Sequence, residues 1–309
     1  MKRNHVGAWA AVALLLALLL AAGAAVAEGG VETYVLNEWN YVEGAMDVSS
    51  GIPEDAQGVL GDIRESGVLR VATEPYFPPQ EFIDPDREGQ DRFAGSDMEL
   101  ARRIAERMGV ALEIVPMDFS EVLNAVATGT CDLAVSALSY TPERASQVTM
   151  SKGYFFSESG GGEGMMIREA DAGEITGIED LKGRDIVAQA GSLQEMMVAE
   201  HVQRYHEFRR LQLVQDVYDA LTAGEADAAM VDADSAGVYI ANNPACGLML
   251  VPGVMFQLED RYAGDRVAGK KGELQLMYFV NGVIEELLAS GEYEAWYDAA
   301  VVRAAALGL

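Results

Sequence analysis

Along the chain, apolar positions first occur in the short runs of a buried strand and then at the spacing of a helix face, and this alternation repeats. Val68-Leu69-Arg70-Val71-Ala72 reads as a strand, and a proline-rich turn follows from Glu74 to Pro79. Leu100, Ile104 and Met108 recur every fourth residue, which predicts a helix capped by Ser96 or Asp97 and stopped by Gly109. Ala111 to Val115 reads as the next strand. Strand, helix and strand in succession predict an α/β fold of mostly parallel sheets flanked by helices, with ligands beyond the carboxyl ends of the strands. Near the end, Arg266-Val267-Ala268 predicts a strand, and Leu274–Leu288 and Tyr293–Ala305 predict two closing helices.

Two segments share one grammar. In NAVATGTCDLAVS, from Asn124, and DALTAGEADAAMVD, from Asp219, a helix stops at a glycine (Gly129, Gly224) and an aspartate follows three residues later (Asp132, Asp227). A small-residue strand then runs to a polar end. The chain therefore reads as two similar lobes, each delivering a polar strand terminus to a shared site. Turn-like stretches at Ser157 to Gly162 and about Gly253 to Gln257 are the candidate crossings, and two crossings imply a hinge. The organisation that follows is a leader at 1–27, an extension without clear period at 28–55 anchored by Trp39 and Tyr41, lobe one at 56–157, lobe two at 158–254, and a return to lobe one at 255–309.

The leader reading rests on Lys2 and Arg3, an apolar run from Gly7 to Ala27, and the small-x-small triplet Ala25-Val26-Ala27, which mark a secretory signal peptide cleaved before Glu28. An uncleaved anchor of about 20 residues is the other reading of that run. No cysteine follows it to carry a lipid, so the remainder is expected in the periplasm. At 309 residues, the chain suits two modest cores better than one large one. Without the leader, 20 basic residues face 49 acidic ones, a balance that makes nucleic acid a poor partner. Cys131 and Cys246 fall in different lobes, where a bond would restrict closure, so free thiols are expected.

A free amino acid offers a carboxylate, an ammonium and a side chain, and a buried site must answer each. Arg144 follows a strand end and can fork onto a carboxylate, although it also fits an exposed arginine in a proline-initiated turn. Asp232 ends a strand and suits an ammonium or, equally, the N-cap of a helix beginning at Ala233. Ser136 and Ser139 are strand-end donors or turn formers. Gly191-Ser192 places backbone donors at a helix N-terminus, and Phe77 or Tyr76 can stack on a ligand or simply pack. Catalytic machinery is sparse: the histidines are His5 in the leader and His201 and His206 on one polar helix, with no metal spacing and no phosphate-cradling glycine loop. No catalytic residue, cofactor or metal is expected.

Taken in order, VATEPYFPPQEF from Val71, FAGSDMELARRIAERMGV from Phe93, GTCDLAVSALSYTPERASQVTMS from Gly129, IVAQAGSLQE from Ile186, DAAMVD from Asp227 and RVAGKKGELQLMYFVN from Arg266 resemble the periplasmic polar-amino-acid-binding proteins of ABC importers, solute-binding family 3, over nearly everything from Ala56 onward. The resemblance implies a type II periplasmic-binding-protein fold, two α/β lobes joined by a two-strand hinge, working as a monomer with the membrane permease subunits of an importer. By motif, it assigns Arg144 to the ligand carboxylate and Asp232 to the α-ammonium. Ser136 and Ser139 become first-lobe hydrogen-bonding positions, Ser192 the second-lobe helix-terminal donor, and Phe77 the stacking aromatic. Ala137, Leu193 and Gln80 depart from the family pattern.

Glu74 stands where binders of cationic side chains place an acidic group, so the ligand is expected to be lysine or arginine in preference to histidine. If Glu74 instead faces water, a neutral polar amino acid such as glutamine is the alternative. A second alternative is an exported enzyme on the same scaffold, resembling cyclohexadienyl dehydratases.

Overall fold

The computed structural model describes residues 35–157, 162–256, 259 and 262–309. The leader at 1–27 lies outside the described residues. Helix α1 (Gly58–Ser66) leads into β1 (Val68–Thr73), then β2 (Tyr76–Phe77), β3 (Glu81–Ile83), β4 (Phe93–Ala94) and α2 (Ser96–Met108). Next come β5 (Ala111–Pro116), α3 (Phe119–Ala127), β6 (Leu133–Ser139), α4 (Pro142–Gln147) and β7 (Val148–Phe155). Lobe two carries β8 (Glu163–Arg168), β9 (Asp185–Gln189), α5 (Leu193–His201), β10 (Glu207–Leu211), α6 (Val214–Thr222), β11 (Ala228–Asp232), α7 (Ala233–Asn242) and β12 (Leu248–Phe256). The chain returns with β13 (Asp265–Lys270), α8 (Leu274–Ser290) and α9 (Glu292–Leu307).

The two large sheets have matching plans, β5-β1-β6-β13-β7 and β10-β9-β11-β8-β12. In the first, β5, β1 and β6 pair in parallel while β13 runs against both neighbours. In the second, β10, β9 and β11 pair in parallel and β8 is the reversed strand. The reversed strands are the first strand after each crossing between sheets, β7 to β8 and β12 to β13. The second crossing falls later than the sequence suggests. Gly253, at φ 79°, sits inside β12, where the pairing with β8 shifts register between Leu250 and Met255, so its turn signal marks a bulge and not the end of the strand.

Both faces of each sheet are covered, and the strands sort their side chains with period two. Leu69 and Val71 of β1 join Leu133 and Val135 of β6 in one core with α2 and α8, while Ala72 and Ala134 face the other side, towards α3. In lobe two, Val187, Ala229 and Val231 pack under α6 and α7, and Ile186, Ala228 and Met230 pack under α5. The predicted helix stop holds: Gly109 adopts φ 72°. The predicted cap does not. Gly95 is the N-cap of α2, and the amides of Ser96 and Asp97 donate to the carbonyls of Pro79 and Gln80. At φ 114°, a Cβ on Gly95 would stand 2.1 Å from the Gln80 oxygen, so only glycine allows that approach. The side chains of Ser96 and Asp97 are thereby released for other work. Likewise, α5 ends at His201, and His206 lies beyond it against Asp185, so the two histidines do not share a helix. Cys131 is buried, Cys246 half-buried, and both are free thiols.

The paired grammar has a structural counterpart. Asp132 accepts from the Arg70 amide at 2.8 Å and Asp227 from the Asp185 amide at 2.9 Å, each joining a helix-to-strand turn to the start of a neighbouring parallel strand.

The extension has a visible task from Val35 onward. Tyr41 forms a parallel bridge to Met150 of β7, the edge strand of the first sheet, and so covers that edge. Buried Asn281 of α8 fixes it. Its Nδ2 donates to the carbonyls of Val42 and Gly44, both at 2.8 Å, and its Oδ1 accepts from the Lys152 amide at 3.0 Å. Asn281→Ala leaves these buried backbone groups without partners. The expected loss is about 2–4 kcal/mol in urea unfolding, with faster amide exchange at Val42; unchanged stability would show that the extension is not anchored this way.

Candidate ligand-binding site

The parallel strands of both sheets bring their carboxyl ends to one cleft. Glu74 follows β1, Ser136 lies in the middle of β6 and Ser139 ends it, Gln189 ends β9 ahead of Ser192, and Asp232 ends β11. All seven predicted residues, Glu74, Phe77, Ser136, Ser139, Arg144, Ser192 and Asp232, line a single cavity of about 310 Å³. That volume is at the small end of the roughly 300–1,000 Å³ usual for small-molecule sites. Phe77 faces the cavity, while its neighbour Tyr76 is 48% exposed.

Arg144 is the cavity's guanidinium. Thr141 caps α4 by accepting from the Arg144 amide at 3.1 Å, and Pro142 starts the helix, so the turn is rigid before its side chain is placed. The side chain is buried rather than exposed. Nη1 donates to the Ser139 carbonyl at 2.8 Å and Nη2 crosses to the Gly191 carbonyl of lobe two at 3.1 Å. The guanidinium carbon lies 5.6 Å from the Phe119 ring centroid. Burial pulls its pKa down to about 10, against the opposing fields of Glu163, Asp265 and Glu143, and it is fully charged at neutral pH.

The serines divide. The Ser136 hydroxyl is committed to protein partners, donating to Glu81 Oε1 at 2.9 Å and accepting from the Glu74 amide at 3.1 Å. It positions Glu74 and is not a free donor. Ser192 caps α5, accepting from the Glu195 amide and donating to the Gln189 carbonyl, and the Gly191 amide donates to the Glu195 carboxylate at 2.8 Å. The helix terminus that the sequence offered to a carboxylate thus already has one of its own. Asp232 realises both of its readings: one oxygen caps α7 by accepting from the Ser235 amide at 2.8 Å, and the residue also lines the cavity.

Glu74 is 1% exposed, and neither carboxylate oxygen has a hydrogen-bond partner. Burial pushes its pKa up to about 8; the Gln189 amide opposes this and the Asp118 charge adds to it. Beneath it, Glu81 is raised well above the usual range by burial and by Asp97. Asp97 itself is raised by burial, although Tyr154 Oη, Tyr293 Oη and the Ala137 amide donate to it at 2.6, 2.7 and 2.8 Å. Ala137 is left-handed at φ 45°, a conformation that this bond helps to hold between Ser136 and Ser139.

Sequence reasoning missed Glu163 and Asp265. Both line the cavity, and burial raises both well above the usual carboxylate range. They begin β8 and β13, the reversed strands, so their amino ends meet the carboxyl ends of the parallel ones. The available signal was an acidic residue immediately after each crossing.

The profile of the bacterial extracellular solute-binding proteins, family 3, matches residues 69–300. The arginine-binding extracellular protein of Bacillus subtilis is 28% identical over 73% of this chain and 83% of its own. The L-cystine-binding protein of Escherichia coli is 25% identical over 80% and 89%. An amino-acid transporter substrate-binding protein of Streptococcus pneumoniae, solved with L-arginine, superposes with a TM-score of 0.70 at 29% identity, covering 79% of this chain and 98% of that one. A cyclohexadienyl dehydratase of Pseudomonas aeruginosa is 36% identical over 31% of this chain and 34% of its own.

Because the pKa of Glu74 is about 8 in the folded protein against about 4.5 when unfolded, its contribution to stability is greatest below pH 4.5 and declines as pH rises towards 8. Without ligand, unfolding free energy should therefore fall between about pH 5 and 8, by on the order of 4 kcal/mol from this group. Urea titrations should show Glu74→Gln flattening that decline; an unchanged pH profile would contradict the buried, unpartnered carboxylate.

Proposed function

Because the chain belongs to the bacterial extracellular solute-binding proteins, family 3, we propose that it captures a free amino acid with a cationic side chain, arginine or lysine, and delivers it to the permease subunits of an ABC importer. The observation that carries the ligand class is Glu74, a carboxylate with two unpartnered oxygens in the same cavity as Arg144 and Asp232. The ligand carboxylate meets Arg144, with Ser139 and Ser192 at its sides. The α-ammonium meets Asp232. Phe77 stacks on the side chain, and the cation at its end supplies the partner that Glu74 lacks. The arginine-bound relative from S. pneumoniae supports this class.

The same reading takes residues 56–157 and 255–309 as one lobe and 158–254 as the other, hinged at the crossings. It takes the chain as a monomer released to the periplasm by cleavage after Ala27, with no catalytic step. A second reading has one observation in its favour: a carboxyl with a pKa of about 8 can serve as a general acid, as a dehydratase on this scaffold requires. Formation of phenylpyruvate from prephenate, or phenylalanine from arogenate, would establish it.

In a thermal-shift screen of residues 28–309 against the free amino acids, arginine and lysine should stabilise the protein, by about 2.7 kcal/mol at a hundred times the dissociation constant. Arg144→Ala should weaken every amino acid by about 2–5 kcal/mol. Glu74→Gln should weaken only the cationic ones. Tight binding of glutamine with none of arginine or lysine would overturn the proposed side-chain class.

A further inference from the structure

Asp232 closes β11 and Glu163 opens β8, and the two are directly opposite one another in the antiparallel pairing. Opposed residues project from the same face of a sheet with Cβ atoms about 4.5–5.5 Å apart, a position in which like charges repel. Both line the cavity. Glu163 is 4% exposed and is held in place by Gln194, whose Nε2 donates to Oε2 at 2.7 Å. Asp232 is fixed by its bond from the Ser235 amide. Two anchored carboxylates, one buried and one half-buried, thus face one another with no cation bonded to either among the described residues. Across the same cavity, Glu74 is a nine-tenths-buried carboxylate with no partner, an independent sign that the site is completed by positive charge.

We propose that Glu163 and Asp232 together form a two-carboxylate seat for the α-ammonium of the ligand, which makes Glu163 a specificity-determining residue beside Asp232. An ammonium has three donors, and a lone aspartate with one oxygen committed to a helix cap leaves most of them unanswered. Glu163 supplies a second acceptor from the neighbouring strand. The seat selects a full α-ammonium and disfavours keto acids, hydroxy acids and N-acylated amino acids, which would bring an oxygen or a neutral amide against two carboxylates. The charged groups around the pair are Asp234 of α7, Asp265 of β13, Arg144 of α4 and Glu74 after β1. Burial and the Asp232 charge both push Glu163 well above the usual carboxylate range.

The inference rests on the amino-acid reading but not on the side-chain class, and the test separates them. Calorimetry compares L-arginine with des-amino arginine, in which hydrogen replaces the α-ammonium, on the wild type and on Glu163→Gln. The substitution should weaken arginine by about 10- to 100-fold and leave des-amino arginine unchanged or tighter. Should that variant not fold, Glu163→Asp, which withdraws the carboxylate by one methylene, should show the same selective loss. Equal weakening of both ligands, or none for arginine, overturns the proposal. A wild type that binds glutamine and not arginine overturns only the role of Glu74, and the cycle is then run with glutamine and its des-amino counterpart. A wild type that binds no α-amino acid overturns both.

Discussion

The constraint on which this cleft depends is the cost of holding carboxylates out of water around a single guanidinium. Glu74, Glu163, Asp232, Asp234 and Asp265 share the cavity with Arg144. An isolated buried charge is costly enough that a group takes up a proton or finds a partner. Here the protein supplies few partners. The Arg144 guanidinium bonds to two backbone carbonyls, and neither carboxylate oxygen of Glu74 has a hydrogen-bond partner among the described residues. Burial is the largest influence on Glu74, Glu163, Asp232 and Asp265 and pushes the pKa of each of these four upward. A site poised in this way favours a ligand that brings positive charge to the acids.

Topology makes that crowding possible. A parallel sheet delivers the carboxyl ends of its strands to one edge, which accounts for Glu74, Ser139, Ser192 and Asp232. One reversed strand in each sheet then adds an amino-terminal residue at the same edge, which accounts for Glu163 and Asp265. Below them, Asp97 ties α2 to Tyr154 of β7, Tyr293 of α9 and the Ala137 amide in β6, so the floor of the site belongs to four elements at once. Gly95 lies at the root of this arrangement. By allowing the Gln80 carbonyl to close over the start of α2, it lets Asp97 serve as an anchor and not as a cap.

This explains why some of the molecule was legible in the sequence and some was not. The helix through Leu100, Ile104 and Met108, the stop at Gly109 and the strand after it follow from local periodicity and left-handed glycine, and they form as read. The two strands of the paired segments also form, because their helix-Gly-Asp-strand grammar is local too, although the first runs past Ser136 to Ser139. Capping was misjudged at Ser96 and Asp97 because the competing acceptors, Pro79 and Gln80, come from a different turn. The turn signal at Gly253 does not break the strand, because the pairing with β8, far away in the chain, resumes after a register shift. The carboxylates at Glu163 and Asp265 escaped notice for the same reason: strand direction is a property of the sheet and not of any window of residues. From Val35 onward the extension is held by scattered contacts, among them the bridge to Met150, the two Asn281 bonds to Val42 and Gly44, and the Met46 amide on the Tyr278 carbonyl, and these leave no repeating mark.

The split of charge between lobes gives the cleft its logic as a trap. Glu74 and Asp265 belong to the first sheet's side, Glu163, Asp232 and Asp234 to the second, and repulsion across a low-dielectric gap grows as the gap narrows. Closure also brings groups that attract. Arg144 reaches the Gly191 carbonyl across the cleft, and Gly191 is close enough to Ser120 of α3 that a Cβ there would stand 3.0 Å from the Ser120 Cα. These contacts draw the lobes together but do nothing for the acids. A ligand carrying two cations and one carboxylate changes the sign of the balance, because each acidic wall then faces positive charge and the guanidinium gains an anion. A ligand that gains more from the closed arrangement than from the open one couples its binding to closure, and positive charge set against the acidic walls is one source of that gain.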